Sequence, residues 1–154
     1  MKRTIETLNE MSFTLPEGWN VVEDKYRLIN GQGFINTENY ISENGEVLSL
    51  FEIQRDPDEF FESYQSLVEG YKMELDGIEL AKQSTLTVNE FEFPVYILEG
   101  NKESTIYIAH IFINCGDCLG CFIFQLKNFS SSVKELISKN KIFSDVTKIL
   151  RTVE

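Results

Sequence analysis

Residues 106–126 read IYIAHIFINCGDCLGCFIFQL, two apolar runs around a short polar stretch. In the first run Ile106, Ile108, His110 and Phe112 fall on one side, and Tyr107, Ala109, Ile111 and Ile113 on the other. A period-two run that is apolar on both sides is a strand covered on both faces, and its β-branched and aromatic content suits a pleated strand better than a helix. In the second run Phe122, Phe124 and Leu126 alternate with Ile123, Gln125 and Lys127, which makes it the hairpin partner. Residues 114–120 supply the turn, with Gly116, Asp117 and Gly120 able to adopt positive φ. Two covered faces need two further layers, so a central antiparallel sheet with helices on one side and more chain on the other is expected.

The pattern elsewhere fills in this plan. Residues 11–15 form a short strand with Phe13 and Leu15 inward, ended by the turn Pro16-Glu17-Gly18, after which Trp19 and Val21 resume the alternation. Residues 26–29 and 33–41 are extended, separated by an Asn-Gly-Gln-Gly turn. Asn44-Gly45 is a hairpin signal leading into a strand over residues 47–53. The period then changes: Phe60, Phe61, Tyr64, Leu67, Val68, Tyr71 and Leu75 lie on one helical face. Asp56 suits its N-cap, Pro57 its first turn and Glu59 a capping box, with Asp76-Gly77 closing it. Residues 84–88 and 91–98 are strands about an Asn89-Glu90 turn, and Pro94 marks an edge position or a bulge. Residues 100–104 turn into the central hairpin. The serines at 130–132 offer N-caps for a helix beginning at Val133, Leu136 and Ile137 and continuing or restarting after Ser144. Strands, helix, strands, helix define an α+β chain. The expectation is one domain, residues 1–154, with an antiparallel sheet of about six or seven strands flanked by helices in an α/β/α sandwich.

Composition is that of a globular protein long enough to bury a core unaided. No apolar run reaches the roughly 18 residues of a membrane span, and residues 1–15 hold no apolar signal-peptide core, so a cytoplasmic protein is expected. Charge is lopsided. Residues 1–126 hold 22 Asp/Glu against 8 Lys/Arg, a net of −14, whereas residues 127–154 hold 3 against 6, a net of +3. An acidic body repels nucleic acid and anionic membranes and favours basic or weakly charged protein partners, although it also simply keeps a small protein soluble.

Candidate chemistry is confined to one loop. Cys115, Cys118 and Cys121 follow a C-x2-C-x2-C spacing that can direct thiolates at one soft metal ion, with His110, a carboxylate or another chain supplying a fourth ligand. Cys115 and Cys121 across a hairpin could instead form a disulfide in an oxidising compartment. The plainest reading is three reduced, inert thiols in a strand-turn-strand. His110, the lone histidine, reads as a hydrogen-bonded core residue. No nucleophile elbow, phosphate loop, zinc-protease helix or EF-hand loop occurs, and the carboxylates are too scattered to nominate a catalytic pair, so neither enzyme activity nor a cofactor is expected.

The stretch MSFTLPEGWNVVED, with Phe13, Leu15, Pro16, Gly18 and Trp19 in an F-x-L-P-x-G-W arrangement, resembles the opening of the PsbP-like fold superfamily. A strand leading to an acid-capped helix (EIQRDPDEFFESYQ), the strands around FEFPVYIL, a paired hairpin and a C-terminal helix extend the resemblance over residues 5–153. Those motif residues shape a turn and a core. The resemblance implies a group that includes a photosystem extrinsic protein, a Ran-release factor of nuclear transport, DcrB-like envelope lipoproteins and the effector-associated (Eag) chaperones of bacterial type VI secretion. The small acidic chaperones suit this chain best. That implies a cytoplasmic homodimer that shields an apolar protein or peptide segment, without nucleic acid or a membrane span. The cysteine loop departs from that branch, and its alternative is a thiol or metal protein.

Overall fold

The computed structural model describes residues 3–6, 12–30, 33–53, 75–114 and 119–153, with side chains described over 12–22, 38–52, 75–114 and 120–153. Among the described residues there are nine strands: β1 (Arg3–Glu6), β2 (Ser12–Leu15), β3 (Trp19–Asn30), β4 (Gly33–Ser42), β5 (Val47–Ile53), β6 (Asp76–Val88), β7 (Phe91–Lys102), β8 (Ser104–Asn114) and β9 (Leu119–Leu126). The described helices are α1 (Val133–Lys139) and α2 (Lys141–Leu150). The helix expected over residues 56–75 falls largely outside the described residues. Among the described residues no helix is long and apolar enough to cross a membrane.

Strands β3 to β9 form one antiparallel sheet in the order β3-β4-β5-β9-β8-β7-β6. The expected hairpin is β8–β9, and β9 is the middle strand of the seven. Two covered faces explain its sequence. One face carries Val95, Ile97, Ala109, Ile111, Ile113, Phe122, Phe124 and Leu126, all buried against β2, α1 and α2. The other carries Tyr96, Phe112 and Cys121, packed with Phe51, Leu80 and Ile123. His110 and Leu98 on that second face are also sealed from solvent. The sequence thus forms an α+β fold with helices on the sheet, as the alternation implied.

Several boundaries differ from expectation for local reasons. The strand around Phe13 does not join the main sheet: β2 pairs with β1 as a separate ribbon. Phe13 packs edge-on against Tyr40 and Phe122, at 5.9 and 5.5 Å between ring centroids. Gly18, at φ +92°, then reverses the chain into β3. Gly100 is not a turn residue. It lies buried within β7, where a Cβ would stand 2.9 Å from Ile78 Cδ1 and 3.1 Å from Leu75 Cβ. The turn is at Glu103, at φ 64°, between the paired Lys102 and Ser104. Leu119 and Gly120 likewise belong to a strand, opposite Asn114 and Ile113.

Pro94 sits neither on an edge strand nor in a bulge but one strand in. The turn Asn89–Glu90 has both φ values positive, 51° and 72°, the geometry of a two-residue hairpin that closes on a hydrogen-bonded pair. That pair is Val88↔Phe91. Counting inward, alternate pairs exchange hydrogen bonds, so Thr85↔Pro94 is a non-hydrogen-bonded pair. The missing proline N–H therefore faces away from β6. It would have faced β8, and the β7–β8 ladder indeed ends at Val95↔Ile111.

The C-terminal helices break at Asn140, not Ser144. Ser132 caps α1 by accepting from the Glu135 N–H at 3.5 Å. Asn140 is extended (φ −123°) and buried, and its side chain is fully used. Its Oδ1 accepts from the N–H groups of Lys127 and Asn128, each at 2.9 Å. Its Nδ2 donates to the carbonyls of Asn128 at 2.7 Å and Leu136 at 3.0 Å. One amide thus joins the exit of β9 to the junction of two helices.

Candidate functional site

Of the three cysteines, Cys115 and Cys118 lie outside the described residues. Cys121 lies in β9 opposite Phe112, its side chain on the second face of the sheet. The ladder therefore aligns Cys121 with Phe112. Burial raises the Cys121 thiol well above its ordinary pKa, outweighing a backbone hydrogen bond at Ile111 that favours the thiolate. A metal ligand or nucleophile must be a thiolate, so this environment holds Cys121 as a small apolar side chain. Among the described residues no group of three His, Cys, Asp or Glu side chains could hold a metal ion.

His110 lies on the same face, and strand pairing sets it in a cross-sheet row: Gln83↔Tyr96↔His110↔Ile123↔Ser49↔Asn39. The row is polar toward both ends. Gln83 Nε2 donates to the Tyr96 hydroxyl at 3.4 Å, and Ser49 Oγ donates to Asn39 Oδ1 at 2.6 Å. Burial lowers the His110 imidazole to about 4, against smaller opposing effects from backbone hydrogen bonds at Tyr96 and Ile108. The ring is neutral at pH 7. His110 and Cys121 therefore share a face without forming a thiolate–imidazolium pair.

A polar cluster missed by the sequence reading lies on the other face. Glu38 and Glu52 are buried on β4 and β5. The Tyr40 hydroxyl donates to Glu38 Oε2 at 2.6 Å. Burial, then that hydrogen bond and the charges of Glu38 and Glu52, hold the phenol far above its ordinary pKa. The available signal was Glu52 following Leu48 and Leu50 at a spacing of two, a carboxylate on a buried stripe. Beside β2, the Trp19 indole N–H donates to Asp145 Oδ2 at 3.0 Å. The residue that ends the F-x-L-P-x-G-W turn is thereby tied to α2.

Among the described residues two surface features bear on partner binding. A cleft of about 340 Å³ lies between the β4–β5 turn and the end of β9, lined by Asn44, Val47, Gln125, Lys127 and Ile142 among others. Beside it Ile41 and Val47, a cross-strand pair, are 37% and 49% exposed, large values for apolar side chains. The second feature is the outer edge of β6, the last strand of the sheet order.

No family model matches the chain, and no curated protein sequence matches it. Solved structures do. The chain is similar to the solution structure of cyanobacterial PsbP (CyanoP) from Synechocystis sp. PCC 6803, with TM-score 0.58 and 9% identity over 99% of this chain and 91% of that one. It is also similar to a crystal structure from Bacteroides thetaiotaomicron VPI-5482, with TM-score 0.56 and 9% identity over 98% of this chain. This chain spans 47% of that protein's length. At such identities the likeness is one of fold: the chain has a PsbP-like fold.

Proposed function

We propose that this chain is a non-enzymatic protein-binding module of the chaperone or adaptor kind, a cytoplasmic bacterial homodimer akin to the secretion-effector chaperones among the PsbP-like folds. The carrying observation is the burial of its chemistry. His110 is 0% exposed and Cys121 3%, in surroundings that favour the neutral imidazole and the neutral thiol. Side chains in those states neither relay protons to a substrate nor attack one. Around β8 and β9 both sheet faces are given over to packing, so work falls to the surface. The exposed Ile41–Val47 pair beside the cleft and the net charge of −11 suit a weakly charged or basic protein segment.

The test is affinity capture from native extract at moderate salt, with mass-spectrometric identification and sedimentation of the purified chain. A single protein recovered in stoichiometric amount, lost on Val47→Asp, is the expected result. A chain that co-purifies with a metal ion or small molecule and no protein overturns this reading.

A further inference from the structure

The geometry points to one half of the β6 edge as a strand-addition site for an extended peptide with basic ends; the inference rests on the protein-binding reading above and names its site and partner chemistry. Free sheet edges invite pairing, and proteins guard them with charges, bulges or proline. Strand β3, at the opposite edge, has a register shift between Val22 and Tyr26 and holds Glu23, Asp24, Lys25 and Arg27 in sequence. The first half of β6 is guarded too, with register shifts between Asp76 and Glu79 and between Leu80 and Lys82. From Gln83 to Val88 the guard ends. QSTLTV has no charge, proline or glycine, and pairs regularly with β7. Lys82, which borders it, donates an ammonium N–H to the Ser131 carbonyl.

Hairpin parity says which backbone groups this half presents. Val88, Leu86 and Ser84 spend their N–H and C=O groups on β7, as counted from the Asn89–Glu90 turn and corroborated by Pro94 opposite Thr85. Gln83, Thr85 and Thr87 therefore point theirs outward. The side chains of the same three residues are exposed. They form a template for about five residues of an added strand. Charge selects the occupant. Exposed Asp76 and Glu79 lie toward one end of the template, and exposed Glu90 and Glu92 at the other. A second copy paired here about a two-fold axis would bring these acidic ends together, whereas a peptide with an uncharged β-branched centre and Lys or Arg at both ends complements them.

The test uses synthetic KKTVTVTKK and EETVTVTEE peptides with the full chain. Fluorescence anisotropy is expected to show salt-sensitive binding of the first and none of the second. Amide exchange is expected to show protection at Gln83, Thr85 and Thr87 on binding, and none without peptide. The Thr85→Pro substitution removes an outward N–H that β7 does not use, so the fold should survive while affinity drops by about tenfold or more. If the variant does not fold, the wild-type exchange pattern still decides. Equal binding of both peptides, protection elsewhere, or unchanged binding by folded Thr85→Pro overturns the site while leaving a captured protein partner intact. Concentration-dependent protection of the three amides in the chain alone assigns the edge to a second copy and overturns the peptide assignment.

Discussion

Trp19 and Asp145 meet at 3.0 Å although 126 residues separate them, the indole N–H donating to a carboxylate that is itself buried. Lys141 Nζ lies 3.0 Å from the same oxygen and Lys148 Nζ 3.9 Å from the other. The buried carboxylate is thus paired from two turns of its own helix while it holds the entry of β3. Asp145→Ala leaves the indole N–H buried without an acceptor, which costs about 1–3 kcal/mol, and Asp145→Asn keeps an acceptor and is expected to cost less. Urea unfolding followed by the fluorescence of this sole tryptophan checks the order.

Asn140 is the second long-range tie. Asn140→Ala strips the acceptor from the Lys127 and Asn128 N–H groups and the side-chain donor from the Asn128 and Leu136 carbonyls, the latter keeping the backbone N–H of residue 140. A loss of about 2–4 kcal/mol is expected, with the denaturant midpoint lowered and the slope unchanged. Asn140→Asp, which retains both acceptances, is expected to fall between wild type and the alanine variant.

His110 makes stability depend on pH in a defined direction. Its imidazole takes up a proton below about 6.5 when unfolded but only near 4 when folded. Between those values the unfolded state binds more protons, so this contribution is complete above about pH 6.5 and is lost as pH falls toward 4. The size is on the order of 3 kcal/mol. Carboxylates titrate in the same window, so the measured quantity is the wild-type profile minus that of His110→Gln. A difference that does not change between pH 7 and 4.5 would contradict the assignment.

Cys121 is expected to resist thiol reagents in the folded protein at pH 8 and to react at once after denaturation. The cause is its burial with a raised pKa. Mass mapping of alkylated peptides distinguishes it from Cys115 and Cys118. Native labelling of Cys121 at the rate of a free thiol would refute the buried placement.

Period and turn chemistry alone determined much of this protein. Alternation on two apolar sides made residues 106–113 a strand covered on both faces, and β8–β9 lies at the middle of the sheet. Asn44-Gly45 marked a hairpin because few residues other than Gly and Asn accept positive φ, and Asn89-Glu90 marked the turn between two strands. What pairing and packing decided was invisible locally. Gly100 read as a turn because a glycine's conformational freedom can be read from sequence, whereas the approach of Leu75 and Ile78 cannot. Ser144 and Asn140 are both plausible helix breaks, and only the two backbone N–H groups arriving from the end of β9 single out Asn140. Glu38 and Glu52 became a buried pair through strand register, and Cys121 entered the core because the ladder continues to Leu119. The outward groups of Gln83, Thr85 and Thr87 likewise follow from hairpin parity and from β6 being last in the sheet. Local sequence carries the conformational preferences of single residues; which groups meet depends on strand order and register, which are properties of the whole chain.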